Sequence, residues 1–443
     1  MYYRPSAALA VVVLVVVVVV TVNSFLYFGY YSPRADTPTP APTEATVRAS
    51  GNTSVEPDTA ATPATALDKA AEAGISETTR TRGAIIDDFN NDGNPDIFLT
   101  RHNENTARLY TNNDSGHFTE IAQGTFAKTD RHGCDAADVN GDGLKDIFCS
   151  TGAHGASMPK RNELWVQQPD HTFVDQAEQY GFFDPFSRGR LNTFINADGD
   201  NHPDLFIANE AERLDALPTP NQLFTNQGGT GFRSAPGYGL EREMVYGGLT
   251  GNNPSVADLD RDGWQDLLVT TSSGLLVYHN KKGNGFTEVA ASVGLGGENP
   301  VDVTLADLNG DGWPDLISVS NNELRVFLNT DGTFSSTFTT MTRPLPRYAV
   351  SVAAGDVNGD DRPDIYVLRG DKDANPPDQV YLNNGNGTGF THMSSIPSNN
   401  KGQAEFVAPI DYDGNGLTDF LVLNGAEGEP GPVQLIAFFP ASP

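Results

Sequence analysis

Basic residues are scarce. Lys and Arg number 28 against 57 Asp and Glu, so the formal net charge is −29 and the pI about 4.4. Such a chain has little with which to displace counterions from a phosphate backbone, which excludes nucleic acid as a partner. A basic patch docking on anionic lipid is excluded for the same reason. Cysteine is scarcer still. The two present, Cys134 and Cys149, rule out a disulfide-stapled mini-domain and a cysteine-based zinc ribbon. The eight histidines are scattered, and neither a His-x-x-Glu-His run nor a Ser-His-Asp pattern occurs, so catalysis has no sequence support. Glycine (45) and proline (29) are what the chain has in quantity, as expected of many turns. Hydrophobic residues, 38% of 443, still suffice for a large core.

Residues 7–22 are Ala, Val and Leu broken only by Thr21, and residues 25–31 add an aromatic belt. A bilayer core needs about 20 apolar residues. Arg4 and the amino terminus are the only positive charges ahead of this run. The sequence therefore predicts a cytoplasmic tail over 1–6 and a signal-anchor transmembrane helix over 7–31. The alternative is a cleaved signal peptide, although the run exceeds the usual apolar stretch of about 7–15 residues. Everything beyond is then exported: membrane-anchored outside the cytoplasm, in a periplasm or at a cell surface, or secreted after cleavage. Pro, Thr and Ala fill 21 of the 34 positions in 32–65, too little apolar surface to offset ordering entropy, so this segment reads as a disordered linker.

The remainder repeats one nonapeptide seven times. The copies are Asp88-Phe-Asn90-Asn-Asp92-Gly-Asn94-Pro-Asp96 and Asp138-Val-Asn140-Gly-Asp142-Gly-Leu144-Lys-Asp146. A weaker third is Asn196-Ala-Asp198-Gly-Asp200-Asn-His202-Pro-Asp204. Then come Asp258-Leu-Asp260-Arg-Asp262-Gly-Trp264-Gln-Asp266 and Asp307-Leu-Asn309-Gly-Asp311-Gly-Trp313-Pro-Asp315. The last are Asp356-Val-Asn358-Gly-Asp360-Asp-Arg362-Pro-Asp364 and Asp411-Tyr-Asp413-Gly-Asn415-Gly-Leu417-Thr-Asp419. Positions 1, 3, 5 and 9 carry carboxylate or amide oxygens, and a tight turn at position 6 folds them around one point. With a backbone carbonyl from position 7, this set of hard donors suits Ca²⁺, whereas zinc would want His or Cys. Up to seven ions are expected, one per loop. An EF-hand is excluded, since position 12 holds no Glu and strands, not helices, flank each loop.

Downstream of each of the first six loops lies a hairpin signature, such as Arg108-Leu-Tyr-Thr-Asn112 before His117-Phe118, or Gln379-Val-Tyr-Leu-Asn383 before Gly389-Phe390. Loops start 50, 58, 62, 49, 49 and 55 residues apart. Four strands in each such unit make a propeller blade, and seven blades close a ring without free edges. The predicted fold is all-β: a seven-bladed β-propeller over 66–443 behind an N-terminal transmembrane helix. Blade seven lacks an outer strand after residues 433–438. Leu67 to Ile75 echoes Phe286 to Leu295, so residues near 65–70 are expected to supply that strand, with Ala66 where other blades place Phe. Cys134 and Cys149 flank loop two on opposed strands, and export favours their oxidation to a disulfide.

Loops and hairpins together resemble FG-GAP (VCBS) repeats, the unit of the integrin α-subunit propeller. The resemblance is nearest to secreted propellers of the cartilage acidic protein and ASPIC/UnbV type. It implies a calcium-stabilised extracellular propeller acting in adhesion or ligand binding, with loop positions 1, 3, 5, 7 (carbonyl) and 9 as ligands. Asn201 and Asp361 depart from the turn glycine, and Asn196 and Asn415 lower the charge of loops three and seven. The expected function is a non-enzymatic, membrane-tethered module binding an extracellular protein or glycan. Alternatives are an exported polysaccharide-active enzyme on the same propeller and a purely structural envelope component. His102, His132 and His154, with Arg101 and Arg131, fall around blades one and two; one reading has them meet at a mouth of the ring as a ligand place, and the expected one is ordinary surface or hydrogen-bonded histidines. Trp264 and Trp313 are read as plugs between blades.

Overall fold

The apolar runs after each nonapeptide, such as Ile147-Phe-Cys149 and Leu205-Phe-Ile207, are short, rich in branched and aromatic residues, and bounded by turn formers. In a computed structural model each is the second strand of a four-stranded antiparallel sheet. The structure describes residues 65–440 apart from 103–105, 128, 153–160, 183–188, 211–219, 243, 245–248, 250–251, 321–322, 339–348, 371–376, 394–395, 398–403 and 426–429. Blade one runs Ala84–Asp87, Asp96–Leu99, Arg108–Thr111 and Thr119–Ile121 from the inner to the outer edge. The sheets over 131–175, 189–234, 255–288, 302–338 and 349–393 repeat this order. Register is constant. In all seven blades the residue before the nonapeptide pairs with position 9, from Asp87↔Asp96 to Ile410↔Asp419.

The second strands are buried on both faces because each sheet is sandwiched between two others. Among the described residues, buried apolar side chains form seven clusters, and each joins two adjacent blades. In six blades a Phe at or beside the start of the outer strand belongs to these clusters; Phe118, Phe173, Phe232, Phe286 and Phe334 are buried and Phe390 is partly buried. At four junctions a glycine has a steric reason, namely Gly74, Gly181, Gly239 and Gly294. Gly294 adopts φ +91°, and a Cβ there would lie 2.2 Å from the Phe334 carbonyl oxygen of the next blade.

Ring closure follows the echo of Leu67 to Ile75. Thr65–Asp68 is the outer strand of blade seven, antiparallel to Gly431–Phe439, with Thr65 opposite Phe439 and Asp68 opposite Ile436. Thr65 is thus strand, where the linker was expected to reach residue 65. Asp68 fixes the clasp by accepting from the Leu435 N–H at 3.3 Å and from Gln434 Nε2 at 3.0 Å. Ala66 suffices in place of Phe because Tyr366, Phe420 and Phe438 fill its cluster. A second tie, Thr78–Thr79 on Gly431–Pro432, carried no sequence signal. A chain starting at Ala70 uncovers the edge Ile436–Phe439, which invites strand pairing between molecules. Size-exclusion chromatography is expected to show self-association and calorimetry a broadened transition; a monomer with an unchanged melting curve would refute the clasp.

Cys134 and Cys149 are register partners and form a disulfide with Cα atoms 4.2 Å apart. The transmembrane helix placed over 7–31 and the linker over 32–64 lie outside the described residues. Among the described residues no helix is long and apolar enough to cross a membrane.

Candidate metal-binding loops

Each nonapeptide folds around its own first side chain. In loop one Asp88 accepts from the Asp92 N–H at 3.1 Å and the Gly93 N–H at 2.8 Å, and Asn90 Oδ1 accepts from the Asp92 N–H at 2.9 Å. The position-6 N–H reaches position 1 in six loops, at 2.7 to 3.1 Å. Loop three is the exception. Asn196 has a single side-chain oxygen, which the Gly199 N–H takes at 2.8 Å. In all seven the oxygen at position 5 accepts from the position-7 N–H. Positions 4 and 6 are both left-handed, with Asn201 at φ 66° and Asp361 at φ 62° replacing the turn glycine. Asn and Asp tolerate that region better than other side chains.

Position 9 behaves differently. Asp96, Asp146, Asp204, Asp266, Asp315, Asp364 and Asp419 are at most 2% exposed. One oxygen accepts from the position-2 N–H of its own loop, and the other from a backbone N–H of the third strand at 2.7 to 2.8 Å. Burial, reinforced by like charges in the loop, pushes these carboxyls up, to about 6 at Asp96, Asp266 and Asp315 and about 7 at Asp146, Asp204, Asp364 and Asp419. A cation beside them would relieve that repulsion.

Calcium fits the donor set. In loop four Asp258, Asp260 and Asp262 bring one oxygen each within 4.8 Å, and in loop seven Asp411, Asp413 and Asp419 do so. Loops one, two and five have Asn at position 3, whose amide donates to the position-5 carboxylate at 2.9, 3.0 and 2.9 Å, closing the same space with a hydrogen bond. Two loops hold cationic competitors. Arg362 Nη2 contacts Asp360 at 2.8 Å in loop six, and His279 Nδ1 lies 3.2 Å from Asp266 and 3.6 Å from Asp260 in loop four. The side chains at position 7 point elsewhere. Trp264 packs on Gly199 of the preceding loop, where a Cβ would meet its ring at 2.4 Å, and Trp313 lies under Arg261 at 4.1 Å. They plug the spaces between neighbouring loops.

Sequence reasoning missed a further ring. The side-chain amides of Asn112, Gln167, Asn226, Asn280, Asn329 and Asn383 each donate to the position-2 carbonyl of the preceding loop, at 2.7 to 3.1 Å. Blade seven has Phe438 at that place, which offers no amide. Five of the six are the Asn that ends the hairpin signature, so a recurrent letter was visible although its partner was not.

These features decide the family. A sequence model of the FG-GAP-like repeat matches residues 88–149, 196–269, 258–318 and 307–367, together more than half of the chain. The chain belongs to the FG-GAP-like repeat family. Each match runs from the first position of one loop to the strand after the next. No curated protein matches the FG-GAP propeller in sequence. Among solved structures, an Agrocybe aegerita lectin that recognises non-reducing terminal N-acetylglucosamine is similar at 19% identity and TM-score 0.49, over 81% of this chain and 93% of that one. BBS1N in complex with ARL6DN is similar at 12% identity and TM-score 0.47, over 82% of this chain and 94% of its own. A Photorhabdus luminescens Tc holotoxin pore is similar at 15% identity and TM-score 0.37, over 85% of this chain and 15% of that one.

At the opposite ends of the strands from the loops, charged side chains are paired, buried or half-buried. Arg131, wholly buried, grips Glu163 at 2.6 Å, Arg101 meets Glu77 at 2.9 Å, and Arg82 meets Glu405 at 3.2 Å. His102 and His132 come together there with ring centroids 5.0 Å apart, and Asp130 lies beside both. His154 lies outside the described residues. Burial pushes Asp130 up, but the two histidines hold it far below the usual carboxylate range; burial and the Arg190 charge lower His132 to about 3.

Asn252 and Asn253 reach across the ring. Asn253 Nδ2 donates to the Cys134 carbonyl of blade two at 2.6 Å, and Asn252 Nδ2 donates to Asp302 of blade five and Ser351 of blade six, both at 2.8 Å. Burial pushes Asp302 up to about 6 from an ordinary 3.8. The folded state therefore holds a proton that the unfolded chain releases. Asp302 contributes stability below pH ~4 that is lost as pH rises through ~6, on the order of 3 kcal/mol. Asp302→Asn is expected to remove that fall; urea midpoints of variant and parent between pH 4 and 7 test it, and parallel curves would refute it.

Proposed function

We propose that this FG-GAP propeller is a non-enzymatic, calcium-binding module, tethered outside the cytoplasm by its N-terminal segment, that binds an extracellular protein or glycan. One observation carries the reading. Seven solvent-facing loops repeat one hydrogen-bonded arrangement of carboxylate and amide side chains, and in loops four and seven three carboxylate oxygens lie within 4.8 Å of one another, in a chain whose charge of −29 makes a bound cation favourable. The Cys134–Cys149 disulfide supports an oxidising compartment. Exposed large apolar side chains among the described residues are Leu67 and Val174, on outer strands. The partner is accordingly one recognised through polar groups, which suits a glycan or a polar protein surface better than an apolar helix.

The full chain in lipid nanodiscs, applied to glycan arrays and to cross-linking on intact cells, tests the reading. Capture of a defined ligand in millimolar calcium and its loss with chelator is the expected result. Calcium-independent capture, or turnover of a polysaccharide by the purified chain, would overturn it.

A further inference from the structure

His102 follows the second strand of blade one, and Asp130 and His132 lie at the start of the inner strand of blade two. His102 Nε2 is 2.8 Å and His132 Nε2 3.4 Å from Asp130 Oδ1, and one donor atom from each residue lies within 4.8 Å of the others. These spacings bracket the edge of a tetrahedron with bonds of about 2.0 Å to a central ion. The side chains are 11%, 4% and 5% exposed for His102, Asp130 and His132. Asp130 Oδ1 is buried, and what faces it is the two imidazole nitrogens. Gly152 walls the group. A Cβ there would stand 2.5 Å from His132 Nε2 and 2.6 Å from Asp130 Oδ2, so only a bare backbone fits.

We propose that His102, Asp130 and His132 form a site for one divalent transition metal of the zinc class, chemically distinct from the calcium loops. Two imidazole nitrogens and one carboxylate select zinc or cobalt over calcium, which takes oxygen almost exclusively. Three protein ligands leave a coordination position for water or an anionic group of a ligand. The metal would clamp blade one to blade two at the mouth opposite the loops. Arg190 is its competitor. The guanidinium contacts both ring nitrogens of His132 and pairs with Glu210 at 3.1 Å, so metal binding requires it to withdraw towards Glu210.

The test is titration of the full chain with cobalt(II) and zinc in excess calcium, read by visible absorption and calorimetry. One equivalent is expected to bind. His102→Gln and Asp130→Asn are each expected to weaken it by more than the roughly 10–100-fold typical of losing an outer partner of a bound metal. Arg190→Gln is expected to tighten it, which separates the site from simple misfolding of a ligand variant. His279→Gln is the control, because Asp260, Asp266 and His279 also place three donor atoms within 4.8 Å. Loss of binding in His279→Gln but not in His102→Gln, or competition by millimolar calcium, would overturn the proposal.

Discussion

Saturating calcium is expected to raise the melting temperature of the chelated protein by about 10 °C. Loops one, two, four and five carry the fullest donor sets, whereas loop three has Asn196, loop six its own Arg362–Asp360 pair and loop seven Asn415. With dissociation constants on the order of 10⁻⁴ M, as in extracellular modules, 2 mM calcium adds about 1.8 kcal/mol per occupied loop. Four loops give roughly 7 kcal/mol, and a propeller of this size shifts by about 1–2 °C per kcal/mol. Without metal, the 23 acidic residues within the loops oppose one another across short distances. Differential scanning calorimetry with chelator, calcium and magnesium is the measurement. No shift, or an equal shift with magnesium, would reduce the nonapeptides to turn formers.

Asp315→Ala is expected to destabilise the protein by about 3–5 kcal/mol even in chelator, because two buried N–H groups lose their acceptor at about 1–3 kcal/mol each. Those donors are Leu308 at 2.9 Å and Asn329 at 2.8 Å, and Asp315 is wholly buried. The comparison is Asp311→Ala. Asp311 is exposed and accepts from the Trp313 N–H and the Asn309 side-chain amide, both within its own loop. Its loss is expected to cost about 1 kcal/mol in chelator, with its main effect seen as lost stabilisation by calcium. Urea unfolding of both variants with and without calcium separates the roles. Equal losses in chelator would mean that position 9 is merely another loop oxygen. The same pattern is expected at Asp146 and Asp364, which have the same two partners.

The resemblance to FG-GAP repeats identified position 9 only as a metal ligand, and the structure gives it a second task. Its partners lie 7 and 14 to 22 residues away, on the loop and on the third strand, so the bond exists only once the hairpin has registered. Sequence alone also left Asn112, Asn226, Asn280, Asn329 and Asn383 as hairpin residues and did not single out Gln167. Their carbonyl partners sit 70 to 87 residues earlier, and for Asn112 the separation is 300, across the closure of the ring. No periodicity within one blade reports such a contact.

What the sequence determined by itself was everything set within about nine residues: the loops, their oxygen positions, the strands on either side and, by repetition, seven blades. Local backbone geometry decides these, because a turn with left-handed residues at positions 4 and 6 can fold its side chains in only one way. The pairing of Cys134 with Cys149 belongs to the same class, since both flank one hairpin. Tertiary structure alone decided which residues of different blades meet. His102 reaches Asp130 and His132, and Asn252 crosses from blade four to Asp302 and Ser351, because the closed ring brings strand ends to common mouths. That convergence depends on seven sheets packing in sequence until Thr65–Asp68 joins Gly431–Phe439, a closure that the echo of Leu67 to Ile75 announced without saying which side chains of different blades it brings together.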